Sequence, residues 1–543
     1  MILGLTRSWS LAGYSIAAVI ILPLIALIVQ AAFPDEAVFS HLFDTVLPTY
    51  IANSLLLMLL VGIGSLLIAV PAAWFVARCE FPGRRYFQWL LLLPLAMPAY
   101  IVAYVYTDML DYAGPVQRAL RAAFQWSSPH DYYFPAIRSL GGAAIMLSLV
   151  LFPYIYLLAR TAFMEQSSSL LHASRIMGCS PWRSFWRLAL PMSRPALAVG
   201  VALVAMETAA DYATVSYFAV PTLTTAVYDT WLGYGSLTAA AKLSAIMLLV
   251  IFTLVGFERF ARRKQELFQK QSALNDSDRY RLSRVKAIGA WFYCSALLFL
   301  AFLLPFIVLT GYAIEYFEQS WDDRFWQYSW NSLYIAVLVS GICLILALIL
   351  MFVRRVSPRS TDSLPSRLSS TGYALPGTVL AIGVLVPLTY LDFAINDVYD
   401  WFGARGPGLV FTGSAIAIVF AFSVRFLAIA IGSLENSYKR ISPSLDMASI
   451  TMGQTPQQLL IRVHLPLLRK GLLAGALLVF IESMKELPAA LLLRPIGFEN
   501  LATYVFQFVS DEKLEHGALA AIVIVFVGLI PLIYLNRSLE HTS

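Results

Sequence analysis

The chain has 543 residues, of which 59% are hydrophobic and 13% charged, and its formal net charge is +6. Soluble globular domains carry about 25% charged residues, so this composition excludes an ordinary soluble protein. The basic residues lie in short loops between apolar stretches and do not indicate binding to nucleic acid. The four cysteines are scattered, without a CxxC pair, and predict neither a disulfide framework nor a zinc site.

Twelve apolar stretches of membrane length follow one another along the chain. About 20 apolar residues cross a bilayer as a helix. The stretches lie at about 11–32, 51–77, 86–107, 141–162, 195–219, 237–257, 288–313, 331–353, 371–392, 408–431, 471–493 and 517–536. We therefore predict an all-α polytopic membrane protein with about 12 transmembrane helices. Prolines at positions 94 and 376 can break their segments, so the number is fixed to within one or two.

Arginine and lysine concentrate in every second connection between these stretches. Three arginines follow the second stretch, five follow the fourth, and nine basic residues lie in the connection at 258–288, whereas alternate connections are acidic. Basic short loops stay on the cytoplasmic side of a membrane. The distribution predicts that both termini and the central linker are cytoplasmic.

Two segments of the chain repeat each other. HASRIMGCSPWRSFWRLALPMSRPA (172–196) aligns without gaps to MASITMGQTPQQLLIRVHLPLLRKG (447–471), at an offset of 275 (453 − 178). Upstream, Asn53-Ser54-Leu55 matches Asn331-Ser332-Leu333 at an offset of 278 (331 − 53). Each half has an even number of stretches, so we predict two parallel six-helix repeats, with a substrate pathway between them. The predicted divisions are 1–260, a basic cytoplasmic linker at 261–287, and 288–543.

Each repeated segment is predicted to be a helical hairpin on the cytoplasmic face. Gly178 and Gly453 suit a helix end in the left-handed region. A Ser-Pro or Thr-Pro pair then begins the next helix, and Thr455 with Gln458 fits a capping box. An amphipathic hairpin resting at lipid headgroups is the simpler alternative. The duplication favours a surface that is used twice, by a pair of identical partner subunits.

The hairpin pattern resembles the EAA loop of permeases from binding-protein-dependent ABC importers, whose loop docks in a cleft of a cytoplasmic ATPase. The resemblance implies a type I importer permease fold and two copies of an ABC ATPase. It assigns to ATPase coupling the residues Ala173, Ser174, Gly178, Leu190, Pro191, Ala448, Ser449, Gly453, Leu465 and Pro466. The family's acidic residue is missing, since His172 and Met447 stand at its place and Asp446 lies one residue earlier. An acid-dependent ATPase contact is therefore not expected.

The segments METAADYATVSYFAVPT (206–222) and ESMKELPAALLLRPIGFENLATYVF (482–506), with the fused twelve-span layout, resemble the permeases of ferric-iron importers. The resemblance implies a multi-pass protein of the bacterial inner membrane and a periplasmic or lipid-anchored substrate-binding protein as partner. Related permeases carry thiamine, sulfate, polyamines or phosphonates, and these substrates stay as alternatives.

Four carboxylates lie in the fifth apolar stretch of the two halves. Glu207 with Asp211 and Glu482 with Glu486 are each spaced i, i+4, and the offset of 275 relates the pairs (482 − 207). A charge at the bilayer centre costs about 2.5–3.5 kcal/mol on insertion scales. Oxygen ligands suit hard cations, so the four acids are predicted to line the ferric-ion pathway. In the structural alternative, Lys485 neutralises Glu482, and Asp211 and Glu486 lie near headgroups.

A second intramembrane charge, Arg425, lies in the tenth stretch. It can pair with one of these acids or with carbonyl groups at a helix end, and no role is assigned to it.

The sequence contains no GxxxxGK[ST], HExxH or GxSxG motif. We predict that the chain is a transport subunit and not an enzyme, that it binds no cofactor or resident metal, and that ATP and magnesium are bound by the partner subunits. An ion-coupled secondary transporter is the rival hypothesis, since such carriers also have twelve spans in two parallel halves. The duplicated hairpin favours the ATP-driven importer.

Overall fold

The computed structural model describes residues 2–34, 38–166, 176–266, 279–356 and 363–540. These residues are almost entirely helical. The helices of the first half are α1 (Ile2–Ala32), α2 (Val38–Thr45), α3 (Leu47–Arg78), α4 (Arg84–Leu90), α5 (Ala99–Leu110), α6 (Pro115–Phe124), α7 (Leu140–Glu165), α8 (Pro181–Ser184), α9 (Leu190–Ala210), α10 (Ala213–Tyr217), α11 (Leu223–Leu232) and α12 (Leu237–Glu266).

The second half has a corresponding series of helices. They are α13 (Arg284–Leu298), α14 (Leu304–Glu315), α15 (Phe317–Ser320), α16 (Asp323–Val356), α17 (Leu364–Ser369), α18 (Gly377–Trp401), α19 (Ile416–Tyr438), α20 (Pro443–Thr451), α21 (Pro456–Leu459), α22 (Leu465–Lys485), α23 (Pro488–Leu493), α24 (Leu501–Ser510) and α25 (Leu514–Glu540). Two two-residue strands, β1 (Cys79–Glu80) and β2 (Tyr280–Arg281), pair in parallel.

Ten helices of the described chain are long and apolar enough to cross a membrane, and an eleventh span is counted if one bent pair is included. The bent pair joins Arg84–Ala96 to Ala99–Phe124 at 89°, with Pro98 at the break. Proline has no N–H and clashes with the preceding turn, which explains the break predicted near Pro94. The expected all-α polytopic fold is confirmed, with ten or eleven spans of sufficient length where about twelve were predicted.

Contacts divide the chain into two compact units. The first unit comprises Met1–Phe43, Ala226–Leu248 and Asp322–Tyr504, and the second comprises Asp44–Thr225, Leu249–Trp321 and Val505–Ser543. The boundaries predicted at 1–260 and 288–543 describe a repeat in the sequence and stay a prediction.

In the first unit, α1 packs against α16, α17 and α18, while α16, α19 and α22 pack against one another. The approach of α1 to α18 is close, because a Cβ at Gly383 would lie 2.6 Å from the carbonyl oxygen of Pro23. Glycine at this position therefore lets two backbones meet without a side chain between them.

In the second unit, α3, α7 and α9 form one packed group, and α14 packs against α25. A Cβ at Gly200 of α9 would lie 3.2 Å from the Cα of Ile155 on α7. Small residues thus set the helix spacing in this unit as well, which is typical of helices packed within a bilayer.

The Asn-Ser motif near the start of α3 and of α16 makes the same bonds in both copies. Asn53 donates to the carbonyl oxygen of Pro221 at 3.0 Å, and Ser54 accepts from the backbone N–H of Leu223 at 2.9 Å. In the other copy Asn331 donates to the carbonyl oxygen of Glu499 at 2.8 Å, and Ser332 accepts from the N–H of Leu501 at 2.7 Å. Because each serine satisfies a buried N–H, the bonds hold the start of α11 and of α24 to a long span.

Candidate functional site

The second hairpin has the local structure that its sequence predicts. Gly453 follows α20 with φ 79°, in the left-handed region that suits glycine. The Thr455 hydroxyl accepts from the N–H of Gln458 at 3.3 Å, and the Gln458 side chain accepts from the N–H of Thr455 at 3.0 Å. The capping box is therefore confirmed. Ser449 is buried and donates to the Gln454 side chain at 2.8 Å, which closes the turn from inside.

The first hairpin repeats this geometry where the structure describes it. Gly178 has φ 74°, and the Ser180 hydroxyl accepts from the N–H of Arg183 at 3.3 Å before α8 begins. Leu190 and Pro191 begin α9, as Leu465 and Pro466 begin α22. The predicted coupling residues Ala173 and Ser174 lie outside the described residues.

Both hairpins contain a π turn that the sequence pattern did not predict. The turns are Phe185–Ala189 and Leu460–His464, again separated by 275 residues (460 − 185). Leu190 donates its N–H to Phe185 and Leu465 donates to Leu460, five residues back. The proline that follows lacks an N–H and needs room beside the preceding turn, which a wider turn supplies. The Leu-Pro pair was the available signal for this feature.

Apolar side chains are exposed on both hairpins. In the first hairpin Ile176, Met177, Trp182 and Trp186 are exposed, and in the second Leu445, Met447, Met452 and Ile461 are exposed. Ala448, Leu465 and Pro466 are exposed as well, whereas Ser449 is buried. Clustered apolar exposure of this kind marks an interaction surface.

The fifth span of each half is broken, which corrects the prediction of one continuous helix. α9 ends at Ala210 with Asp211 as its extended C-cap, and α22 ends at Lys485 with Glu486 in the same role. The second acid of each pair is thus the last residue with a helical φ, −70° for Asp211 and −67° for Glu486, and the backbone leaves the helix after it. A hydropathy window averages over about 20 residues and does not resolve a two-residue break.

Asp211 is bonded by neutral groups of the short helix that follows it. Its carboxylate accepts from the N–H of Thr214 at 3.0 Å, from the Thr214 hydroxyl at 3.0 Å and from the N–H of Val215 at 3.2 Å. These bonds make Asp211 the cap of α10, since they satisfy N–H groups that have no partner within the helix.

Glu486 forms an ion pair with Arg425. The Arg425 Nε lies 3.3 Å from the Glu486 carboxylate, and the side chains are 12% and 7% exposed. The same carboxylate accepts from the N–H of Ala489 at 3.3 Å, and Arg425 also donates to the carbonyl oxygen of Leu375 at 3.2 Å. Arg425 thus makes both kinds of contact considered for it. Gly377 leaves the space, because a Cβ there would overlap the Glu486 carboxylate.

The first acid of each pair lies within its helix. Glu482 is 39% exposed and lies 3.3 Å from the ammonium group of Lys485, the neutralising contact considered for it. Glu207 is half-buried in α9. The role of the four acids in an ion pathway stays a prediction. Within the described ranges, no group of three or more His, Cys, Asp or Glu side chains is placed to hold a metal ion.

Sequence reasoning missed a polar cluster that holds the second hairpin. The Asp446 carboxylate on α20 lies 2.6 Å from Arg355 Nε and 2.9 Å from His464 Nε2. Tyr438 and the other nitrogen of His464 are 3.3 Å apart. The acid was visible in the sequence, but its partners lie in other helices and no local pattern connects them.

Comparison with known proteins finds similarity to transport permeases. Residues 65–266 match the family model described as "binding-protein-dependent transport system inner membrane component". The chain is 25% identical over 506 residues to the Fe(3+)-transport system permease protein FbpB 2 of Haemophilus influenzae, with 91% of each chain covered.

Other relatives cover the chain to different extents. The ferric transport system permease protein FbpB of Actinobacillus pleuropneumoniae is 22% identical over 521 residues, 92% of this chain and 72% of that one. The molybdenum transport system permease protein ModB of Escherichia coli is 27% identical over 209 residues, 37% of this chain and 88% of that one. With its spans and its duplicated hairpins, the chain is thus similar to the binding-protein-dependent transport system inner membrane components, whose family model matches residues 65–266.

Proposed function

We propose that the chain is the membrane-spanning subunit of an ATP-driven importer of ferric iron. The ATP-driven part rests on one observation, the pair of hairpins with the same left-handed glycine, capped helix start and π turn. A carrier driven by an ion gradient has no use for two such elements. The iron part rests on a relative that matches along 91% of both chains and is named as an Fe(3+)-transport system permease protein.

In this proposal both termini and both hairpins face the cytoplasm. Two copies of an ABC ATPase, which hold the ATP and magnesium, dock on the exposed apolar side chains of the hairpins, one copy on each. A periplasmic or lipid-anchored binding protein delivers the ferric ion to the opposite face. Closure of the ATPases on ATP moves the hairpins, and the hairpins move the spans so that access alternates across the membrane.

Copurification tests the ATP-driven part. We expect the solubilised protein to bring down a P-loop ATPase at two copies per permease, because each hairpin offers one docking surface. In proteoliposomes with the cognate binding protein, uptake of ⁵⁵Fe(III) should require ATP inside and stop with vanadate. Uphill uptake on an ion gradient alone, without an ATPase bound, would contradict the proposal and support a secondary transporter.

The intramembrane acids are proposed to provide weak, sequential oxygen ligands for ferric iron. Asp211 keeps its carboxylate among neutral donors, and Glu482 keeps part of its side chain exposed. Carboxylates suit a hard trivalent cation and repel oxyanions such as sulfate or molybdate. Because Glu482 and Glu486 are paired with Lys485 and Arg425, the charge argument rests mainly on Asp211, whose donors are neutral. It favours ferric iron over sulfate or molybdate.

The double variant Glu207→Gln/Glu482→Gln tests this role. We expect iron uptake to fall about tenfold or more, the scale seen when groups that support a metal site are changed. Assembly with the ATPase should be unchanged, since neither residue lies in a hairpin. Glu318→Gln, an exposed acid, serves as the control. Normal uptake by the double variant would remove the acids from the pathway.

A permease for another small solute is the alternative. The similarity to a molybdenum permease, which extends along 37% of the chain, favours this alternative. Measuring which of ferric iron, molybdate, sulfate, thiamine, a polyamine or a phosphonate stimulates ATP hydrolysis, with the cognate binding protein present, separates these substrates.

A further inference from the structure

The second hairpin is tied to its unit by a charged cluster of four side chains, here named the Asp446 cluster: Arg355, Tyr438, Asp446 and His464. Asp446 lies on α20, within the hairpin, whereas Arg355 is in the last turn of α16 and Tyr438 ends α19. His464 closes the π turn that leads into α22. The Asp446 carboxylate therefore contacts the end of α16 directly, and through His464 it is linked to the start of α22 and the end of α19.

The bonds of the cluster, 2.6–3.3 Å long, are mutually consistent. Arg355 donates through Nε to Asp446 at 2.6 Å and through its terminal Nη2 to the carbonyl oxygen of Ile441 at 2.9 Å. His464 is fully buried. If its Nε2–H donates to Asp446, its Nδ1 accepts from the Tyr438 hydroxyl, so a neutral imidazole satisfies both contacts. Charge-assisted bonds of this kind hold geometry better than neutral ones.

The first hairpin lacks the residues needed for such a cluster. At the offset of 275, Leu171 corresponds to Asp446 (446 − 275) and Ala189 to His464 (464 − 275). There the contact to Ala189 is neutral: the Gln166 amide donates to its carbonyl oxygen at 2.8 Å, and buried Arg78 donates to the carbonyl oxygen of Gln166 at 2.9 Å. Among the described residues, the two hairpins are therefore joined to their spans by different bonds.

We propose that Asp446 is a positioning residue that transmits movement of the second hairpin to α16 and α19, rather than a contact to the ATPase. This inference rests on the proposed function. The side chain is 14% exposed and both of its oxygens are used within the chain. The neighbouring Met447 is exposed and is left for the partner. Without the carboxylate, the hairpin can follow the ATPase while the spans do not.

The test compares Asp446→Asn with the parent in proteoliposomes that contain the ATPase and the binding protein. We expect ATPase copurification and basal ATP hydrolysis to stay as in the parent, and iron delivered per ATP hydrolysed to fall about tenfold, within the range of coupling between linked sites. Asp446→Glu keeps the charge and should retain most of the coupling. A merely structural role would lower both activities together and leave their ratio unchanged.

Glu435→Gln is the matched control. It removes a carboxylate at the same end of α19 whose partners, Arg354 and Lys439, lie at 3.4 Å and are more exposed. Its ratio of iron to ATP should equal that of the parent. If Asp446→Asn does not accumulate, Tyr438→Phe removes only the hydroxyl contact to His464 and should lower the ratio about twofold.

Two results would overturn the inference. One is an unchanged ratio of iron to ATP in a folded Asp446→Asn or Tyr438→Phe variant. The other is loss of ATPase copurification in Asp446→Asn, which would make Asp446 a partner contact. Failure of the proposed function is a separate result, because the parent itself would then show no ATP-dependent iron uptake.

Discussion

Replacing Arg425 with methionine is expected to lower the free energy of unfolding by about 3–5 kcal/mol, because it leaves the Glu486 carboxylate buried without its cation. The carboxylate is only 7% exposed and retains a single bond, from the N–H of Ala489. Removing the charge of Glu486 at the same time should reverse most of the loss. In Arg425→Met/Glu486→Gln, the glutamine keeps an oxygen for Ala489, and no uncompensated charge remains.

Unfolding in mixed micelles, followed by tryptophan fluorescence, measures these changes. Lys485→Met is the control, since it breaks a pair whose acid is 39% exposed and which should contribute about 0–1 kcal/mol. If Arg425→Met is no less stable than the control, the ion pair does not stabilise the structure at the break in the fifth span. If the double variant is as unstable as the single one, the arginine stabilises through Leu375 instead.

Alanine at Gly142 is expected to destabilise the protein by about 3 kcal/mol, whereas alanine at the adjacent Gly141 is expected to be neutral or stabilising. A Cβ at Gly142 would overlap the backbone carbonyl oxygen of Ile137, which a side-chain rotation cannot relieve. The nearest atom to a Cβ at Gly141 is the Ser139 hydroxyl at 3.9 Å. In a helix, alanine is favoured over glycine by about 1 kcal/mol.

The two glycines share the first turn of α7, so each is the other's control for helix propensity and for position. Ser139 caps this turn by accepting from the N–H of Gly142 at 3.1 Å, and it donates its own N–H to Ile137 at 2.9 Å. The chain must therefore fold back tightly onto Gly142. Equal unfolding midpoints for the two alanine variants would show that the backbone at Ile137 can move to make room for a Cβ at Gly142.

Local features of the candidate site were predictable from the sequence, and distant ones were not. Gly453 and the Thr455–Gln458 cap depend on residues within one turn, so their pattern is sufficient. The partner of Glu486 is 61 residues away (486 − 425) and that of Asp446 is 91 away. For Arg425 the sequence left two possible partners, an acid or a carbonyl group, and only the packing of the helices shows that it contacts both.

The spans were predictable because apolar length is a strong signal, but their interruptions were not. The break after Ala210 involves two residues in a stretch that is apolar on both sides, and the π turns involve one extra residue each. Hydropathy records neither. The acids mark the breaks only in retrospect, because Asp211 and Glu486 cap the short helices that follow.

The covalent joining of the two copies frees each half to diverge. In a permease assembled from two identical subunits, every substitution appears on both sides of the symmetry axis. Here Asp446 and His464 have no equivalent in the first half, because Leu171 and Ala189 occupy the matching positions in the sequence. A single label or substitution can thus address one hairpin while its twin serves as an internal reference.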